Sequence, residues 1–154
     1  ANILTGAERF DQYIQLLKGK TVAVFANQTS TAGNTHLVDA LKSRGVIIKK
    51  IFSPEHGFRG TADAGEKVGN YTDAQTGIPV ISLYGSKRKP TAEDVKDADV
   101  LIFDIQDVGV RFYTYISSLQ EFMEAAIALN KPLMILDRPN PNGFYIDGPV
   151  LDMQ

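Results

Sequence analysis

The chain has 154 residues, of which 44% are hydrophobic and 22% charged, a length and balance typical of one folded domain with a sizeable core. The 16 Lys and Arg residues are nearly balanced by 18 Asp and Glu residues, and no basic stripe suited to nucleic acid is present. The chain has no Cys, and no apolar run reaches the roughly 20 residues of a membrane span. We therefore expect no disulfide, thiolate metal site or spanning helix.

Short apolar runs rich in β-branched residues predict strands, and amphipathic or capped segments between them predict helices. In chain order the expected elements are a helix at 6–18, a strand at 21–26, a helix at 35–43, strands at 46–52 and 79–83, a helix at 91–97, a strand at 99–105, a helix at 112–130 and a strand at 132–136. Such alternation indicates right-handed crossovers. The predicted fold is α/β, a three-layer Rossmann-like domain with a mostly parallel sheet of five or slightly more strands.

Two segments lie outside this pattern. Residues 55–78 contain five Gly residues and no hydrophobic period, which predicts a long functional loop. Residues 138–149 are rich in Pro, Asn and Gly and include no closing element. We therefore expect the natural chain to continue beyond Gln154.

Polar residues follow every predicted strand. In open parallel sheets the ligand crevice lies outside the carboxyl ends of the strands. The exits carry Asn27 and Gln28, Glu55 and His56, Tyr84, Asp104 and Asp107, and Asp137, Arg138 and Asn140. Turns are commonly polar for reasons of their own, but five polar exits, three of them with a carboxylate, favour a shared site.

Glu55 is the leading catalytic candidate, because it follows Pro54 at the end of a buried strand, a stiff position suited to a general acid. Its alternative role is to cap a loop amide. His56 is placed to orient that acid or to shuttle a proton, although a His in a Gly-rich loop is often only a hydrogen-bonding residue.

Asp104 and Asp107 follow the most apolar strand. A carboxylate there could accept hydrogen bonds from sugar hydroxyls or stabilise positive charge at an anomeric carbon. Asp107 could equally cap the next helix. Arg111 offers a cationic fork, and Tyr113 and Tyr115 offer aromatic surfaces for a sugar or simply packing. Glu66 is a second loop acid of the kind usually solvated.

Several other chemistries lack their sequence signatures. The turn after the first strand has neither G-x-G-x-x-G nor a Walker A sequence, which disfavours nucleotides. G-x-S-x-G and H-E-x-x-H are also absent, which disfavours a serine hydrolase and a zinc site. Carboxylate, His, Arg and Tyr chemistry remains, and it requires no metal or organic cofactor.

Five ordered strings carry a specific resemblance. They are S-P-E-H-G-F-R-G at 53–60, A-G-E-K-V at 64–68, S-L-Y-G at 82–85, D-I-Q-D-V-G-V-R-F-Y-T-Y at 104–115 and L-D-R-P-N-P at 136–141. These strings resemble the NamZ-type exo-β-N-acetylmuramidases, from around Thr21 to the end. The resemblance implies a secreted or periplasmic bacterial glycosidase, sometimes lipid-anchored, that releases N-acetylmuramic acid from the non-reducing ends of peptidoglycan fragments.

The resemblance also implies a domain organisation and a catalytic residue. Residues 1–154 would form an N-terminal Rossmann-like catalytic domain, and a C-terminal domain that completes the cleft would be absent from this chain. The Glu of the S-P-E-H-G string is the family's proposed catalytic residue and corresponds to Glu55.

The resulting hypothesis gives each candidate a role. Glu55 protonates the leaving oxygen, His56 with Asp104 or Asp107 sets the electrostatics, and Arg111 holds the lactyl carboxylate of muramic acid. The other expected substrate contacts are Asn27, Gln28, Arg59, Glu66, Tyr84, Tyr113, Asp137, Arg138 and Asn140. The alternatives are a non-catalytic module that binds peptidoglycan or another carbohydrate, and a nucleotide-dependent enzyme with a degenerate phosphate loop.

Overall fold

The computed structural model describes residues 3–60, 69–150 and 152, which form an α/β fold. The strands in these residues are β1 (Thr21–Ala26), β2 (Thr31–Ala32), β3 (Thr35–His36), β4 (Ile47–Ser53), β5 (Tyr71–Thr72), β6 (Pro79–Ser82), β7 (Val100–Asp104) and β8 (Leu133–Ile135). The α-helices are α1 (Phe10–Leu17), α2 (Leu37–Ser43), α3 (Ala92–Val95) and α4 (Tyr115–Ala128), with a 3-10 helix at Gly6–Glu8.

Six of these strands form one sheet in the order β5-β6-β4-β1-β7-β8. All neighbours are parallel except the edge strand β5, which runs antiparallel to β6. The prediction of an α/β fold with a mostly parallel sheet is confirmed. Strand β1 lies between β4 and β7, so the chain adds strands on one side of β1 and then on the other.

The central strand β1 is buried on both faces because its alternate residues serve two separate cores. Val24 packs in the cluster that contains Leu41 of α2, whereas Phe25 packs in the cluster that contains Phe122 of α4. The rings of Phe25 and Phe122 lie 5.1 Å apart in an edge-to-face contact. This two-sided packing explains why β1 and β7 are almost uninterrupted apolar sequences.

The connection from β1 to α2 differs from the prediction. A short hairpin of β2 and β3 replaces the expected start of the helix at residue 35. Helix α2 begins at Leu37 because the Nδ1 atom of His36 accepts a hydrogen bond from the backbone N–H of Val38, as an N-cap does. Strands of two residues are too short to show a hydrophobic period.

Three further boundaries differ. The predicted loop at 55–78 contains β5, and its residues 61–68 lie outside the described residues. The predicted first helix is interrupted at Arg9, whose φ and ψ of -86° and 51° are not helical. Helix α4 begins at Tyr115 rather than residue 112. A strand of two residues and a break at a single residue leave little signal in a hydrophobic pattern.

The segment after β8 contains no helix or strand through residue 150. Leu136 at its start is buried, whereas the apolar side chains of Phe144, Ile146 and Val150 are exposed. None of the helices in the described part of the chain is both long and apolar enough to cross a membrane.

Candidate active site

The sheet topology brings the exits of β1 and β7 together at its carboxyl edge. From β1 the chain moves outward through β4 and β6, and it then returns to the opposite side of β1 to form β7. The connection that leaves β1 therefore runs towards β4, and the connection that leaves β7 runs towards β8, on the opposite side. In α/β sheets such a reversal of strand order opens a crevice between the two connections. The candidate site residues within the described part of the chain lie at this edge, after β1, β4, β6, β7 and β8.

A hydrogen-bond network joins three of these exits. The Asn27 Oδ1 atom accepts from the backbone N–H and the hydroxyl of Thr29, at 2.8 and 2.6 Å. The Thr29 hydroxyl in turn accepts from the backbone N–H of Gln106 at 3.0 Å. The Gln106 amide donates to the carbonyl of Pro139 at 2.9 Å. These bonds hold the β1, β7 and β8 exits in a fixed relation.

Asp104 forms a buried ion pair with Arg138. The guanidinium donates to both carboxylate oxygens, at 2.6 and 2.9 Å, and to the carbonyl of Thr31 at 2.7 Å. Burial raises the pKa of Asp104, while Arg138 acts in the opposite direction. Because the Asp104 side chain has 0% and the Arg138 side chain 6% exposure, this placement does not support their expected contact with substrate.

Glu55 and His56 form the corner of a tight turn after β4. The backbone N–H of Gly57 donates to the carbonyl of Pro54 at 3.2 Å, and His56 has a φ of 70°. A positive φ at the third position is the requirement of a type II turn, usually met by Gly or Asn. A His in this region is uncommon, and such strain is concentrated at functional sites.

Glu55 lies within electrostatic reach of two tyrosine side chains from other exits. The Tyr84 side chain is near the Glu55 carboxylate, and this contact and the negative charge of Glu55 raise the pKa of Tyr84. Burial raises the pKa of Tyr115, with a smaller contribution from the negative charge of Glu55. The Tyr113 and Tyr115 rings are 5.8 Å apart. We call Asn27, Glu55, Tyr84, Tyr113 and Tyr115 the Glu55 cluster.

Buried polar atoms without a hydrogen-bond partner also lie at this edge. Among the described residues they are Asn27 Nδ2, Ser53 Oγ and Asp107 Oδ1. The Asn27 amide lies beside the Tyr115 hydroxyl and lowers the pKa of that tyrosine, but it makes no hydrogen bond of normal geometry. Such atoms carry a desolvation cost, so they are the groups that a polar ligand or ordered water would satisfy.

Asp107 and Asp137 lie on a separate part of the edge. They line a cavity of 190 Å³ together with Tyr115 and Arg138. The Asp107 Oδ2 atom accepts from the backbone N–H of Gly109 at 2.9 Å. The expected N-cap role of Asp107 is not observed, because helix α4 begins at Tyr115, after Thr114.

Arg59 is an internal tether, which does not support its expected contact with substrate. Its guanidinium donates to both oxygens of Asp73, at 2.8 and 3.0 Å, and to both oxygens of Asp39, each at 3.2 Å. The two carboxylates raise the pKa of Arg59 further above its ordinary value. The tether joins the loop that carries Glu55 to helix α2 and to the turn after β5.

The Arg59 tether predicts a specific acid dependence of stability. The hydrogen bond from Arg59 lowers the pKa of Asp73 from 3.8 to about 2. A carboxyl whose folded-state pKa is lowered stabilises the fold above the unfolded-state pKa and loses this contribution as pH falls through the folded-state value. We expect about 2 kcal/mol to be lost from pH 4 down to pH 2.

This contribution can be measured by urea unfolding at a series of pH values. The Asp73→Asn variant should show a shallower loss of unfolding free energy across the same range, because it has no carboxyl to protonate. The Asp97→Asn variant, altered at a solvent-facing Asp, should follow the wild type. Parallel acid profiles for wild type and Asp73→Asn would contradict the assignment.

The remaining candidates are at the surface. Arg111 donates to the carbonyl of Pro149 at 2.7 Å and shares a cavity of 710 Å³ with Asn140. Asn140 accepts from the backbone N–H of Asn142 at 2.9 Å. Gln28 packs against Gly60, where a Cβ would come within 2.8 Å of the Gln28 Cβ. Glu66 lies outside the described residues.

Two residues of this site had no specific role assigned from sequence. Tyr115, considered only with Tyr113 as an aromatic surface, lines the cavity of Asp107 and lies within electrostatic reach of Glu55. Ser53, considered only as the residue that begins the exit of the second strand, adds a buried hydroxyl at the end of β4. The relation of Tyr115 to Glu55 joins residues 60 positions apart in the chain and has no local signal. Within the described residues, no group of three or more His, Asp or Glu side chains is suited to a metal ion.

The strained position of His56 allows its backbone and side-chain roles to be separated. His56→Gly removes the imidazole and relieves a left-handed conformation that costs a side-chain-bearing residue about 1 kcal/mol. We expect stability to be unchanged or raised by less than about 1 kcal/mol, while the glycosidase activity that the sequence resemblance implies, assayed in the natural full-length polypeptide, falls. His56→Asn is the matched control, since Asn tolerates this φ. Full hydrolysis in both variants would show that the imidazole has no role.

Comparison with known proteins gives consistent matches. The family model described as "Exo-beta-N-acetylmuramidase NamZ, N-terminal" matches residues 22–154. The peptidoglycan beta-N-acetylmuramidase NamZ of Bacillus subtilis is 49% identical over 145 residues, which cover 91% of this chain and 34% of that protein. The chain therefore spans about a third of the length of this relative.

Two crystal structures of DUF1343 family proteins from Bacteroides fragilis share the fold. The first has a TM-score of 0.83 and 44% identity, covering 99% of this chain and 39% of the other. The second has a TM-score of 0.83 and 42% identity, covering 97% and 38%. With the family match over residues 22–154, these similarities show that the chain belongs to the exo-β-N-acetylmuramidase NamZ family and corresponds to its N-terminal part.

Proposed function

We propose that this chain supplies the general acid of a peptidoglycan β-N-acetylmuramidase. The observation that carries the proposal is the Glu55 cluster, in which a carboxyl at a strained turn lies near Tyr84 and within electrostatic reach of Tyr115 at the carboxyl edge of the sheet. Family membership supports the substrate class, since the B. subtilis relative is named for this activity.

Glu55 would protonate the glycosidic oxygen as the bond to the anomeric carbon breaks. Tyr84 lies near this carboxyl group and is placed to orient it towards the leaving oxygen. Retaining, inverting and substrate-assisted hydrolysis all begin with this protonation. The role is therefore independent of how the second step proceeds.

The exposed polar groups would bind and orient the sugar. The NH2 of Asn27 and the hydroxyl of Ser53 belong to residues with 0% exposure and have no hydrogen-bond partner, so an ordered water is the group suited to satisfy them. We propose that Asp107 stabilises positive charge near the anomeric carbon and that the exposed Arg111 contacts the lactyl carboxylate. Because peptidoglycan lies outside the cytoplasmic membrane, we also propose a periplasmic or extracellular location.

The structure disfavours the nucleotide alternative. In dinucleotide-binding folds the first strand leads through a Gly-rich turn directly to a helix whose N-terminal N–H groups bind phosphate. Here the β2–β3 hairpin intervenes, and the His36 imidazole already accepts the N–H of Val38 at the start of α2. This end of the helix is therefore occupied by its own cap.

A measurement of substrate turnover distinguishes a catalytic domain from a non-catalytic carbohydrate-binding module. The natural full-length polypeptide that carries this sequence is incubated with a defined disaccharide that has N-acetylmuramic acid at its non-reducing end. We expect free N-acetylmuramic acid to accumulate with time, as detected by mass spectrometry. Saturable binding of the disaccharide without product would contradict the proposed hydrolase.

A further inference from the structure

His36 connects three parts of the structure around the site. Its Nε2 atom lies 2.8 Å from the carbonyl oxygen of Asn27 at the β1 exit. Its Nδ1 atom accepts the backbone N–H of Val38 in the first turn of α2 at 3.1 Å. Its ring meets the buried ring of Phe58 edge to face, at 4.6 Å between centroids. One imidazole therefore joins the β1 exit, α2 and the loop that carries Glu55.

The partners of His36 fix the protonation state of its ring. The carbonyl of Asn27 can only accept a hydrogen bond, so Nε2 carries the hydrogen. The backbone N–H of Val38 can only donate, so Nδ1 must keep its lone pair. A protonated ring would direct an Nδ1–H at the N–H of Val38. Protonation of His36 therefore removes the cap of α2.

Three charged groups act on His36 from the elements packed around it. Arg59 disfavours a second positive charge, whereas Asp39 of α2 and Asp73 after β5 favour it. Burial is the largest influence, and it lowers the pKa of His36 from the ordinary value of 6.5. Stability that depends on the neutral ring is therefore present above the unfolded-state pKa and is lost as pH falls through the lower folded-state value.

The β1 exit and the loop that carries Glu55 also contact each other. Asn27 belongs to the Glu55 cluster, and its neighbour Gln28 packs against Gly60 of the loop. His36 bonds to the first of these two segments and packs against the second. A change at its ring therefore reaches both sides of the proposed acid.

We propose that His36 is a positioning residue for the hydrolysis, which holds Asn27 and the loop that carries Glu55 in their active arrangement only while its imidazole is neutral. The inference rests on the proposed function of Glu55. It assigns the acidic limb of the pH-rate profile to a residue that acts through its neighbours, because Glu55 as a general acid becomes more protonated at low pH.

The test is the pH dependence of kcat in the natural full-length polypeptide, measured with the disaccharide that has N-acetylmuramic acid at its non-reducing end. We expect the wild-type kcat to fall about tenfold for each pH unit below the pKa of His36, as one inactivating protonation requires. His36→Asn keeps an acceptor for the cap, His36→Gln keeps a donor that can reach Asn27, and neither side chain titrates. Both variants should have a kcat roughly tenfold lower at neutral pH and an acidic limb displaced to lower pH.

His56→Asn is the control, since His56 is the other His of the chain and lies in the turn that carries Glu55. It should lower the rate and leave the acidic limb at the wild-type pH. A wild-type limb in both His36 variants, or a limb displaced by His56→Asn, would overturn the positioning role.

A measurement without substrate separates this inference from the hydrolase proposal. In hydrogen exchange followed by mass spectrometry, corrected for the intrinsic effect of pH, wild-type residues 27–38 and 54–60 should lose protection about fivefold from about pH 7.5 to about pH 5, as loss of an N-cap predicts. This arm remains informative if substitutions at His36 prevent folding. Unchanged protection would overturn the inference, whereas the predicted loss of protection in a protein that releases no N-acetylmuramic acid would contradict the proposed function alone.

Discussion

Glu55→Gln should lower the rate of muramide hydrolysis at least about a hundredfold in the natural full-length polypeptide. General acid catalysis contributes roughly 10² to 10⁴ in rate, and an amide of the same size cannot donate the proton. The substitution keeps the shape of the side chain and an oxygen for the Tyr84 hydroxyl. The change should therefore appear mainly in kcat, measured with the disaccharide that has N-acetylmuramic acid at its non-reducing end, because its sugar leaving group requires protonation.

Glu124→Gln is the matched control for this experiment. Glu124 is a surface carboxylate paired with Lys89, far along α4 from the Glu55 cluster. This variant should hydrolyse the substrate at the wild-type rate, and both variants should melt near the wild-type temperature. Undiminished hydrolysis by Glu55→Gln would remove Glu55 from the mechanism.

Asp104→Asn should destabilise the protein by about 3–5 kcal/mol, the usual cost of removing one partner from a buried ion pair. The substitution leaves the guanidinium of Arg138, with only 6% of its side chain exposed, without its carboxylate. Arg138 also bonds to the Thr31 carbonyl, so the hairpin after β1 should loosen as well. Urea unfolding measures the change.

Glu93→Gln provides an exposed counterpart in the same experiment. Glu93 pairs with Lys96, and their side chains are 78% and 56% exposed. Exposed pairs contribute about 0–1 kcal/mol, so this substitution should have little effect. Replacing Asp104 and Arg138 together with apolar residues of similar size should cost less than Asp104→Asn alone. Equal small losses for Asp104→Asn and Glu93→Gln would contradict a structural role for the buried pair.

The pairing of Asp104 with Arg138 is a feature of the site that the sequence did not predict. The exits after β7 and β8 were correctly expected at one edge of the sheet, because parallel strands end there together. Their polarity, however, does not reveal whether a carboxylate faces solvent or another exit. Asp104 and Arg138 are 34 residues apart, and their bidentate bond exists only after β8 has paired with β7.

Arg59 illustrates the same limit within a recognisable motif. It lies in the string that contains Glu55, yet its guanidinium is bound by Asp39 of α2 and by Asp73 after β5. Motif membership therefore did not distinguish a residue that supports the loop from one that contacts a ligand. Tyr115 is the converse case, since its place beside Glu55 follows from the packing of α4 against the sheet.

The sequence alone determined the α/β class, the five principal strands and the positions of the exits, because alternating apolar runs and turn residues act over a few neighbours. The tertiary structure alone decided which exit residues are paired with each other and which remain exposed to a ligand. It also decided the two-residue strands β2, β3 and β5, whose stability comes from their partners. Long-range hydrogen bonds and ion pairs assign these roles, and no local pattern encodes them.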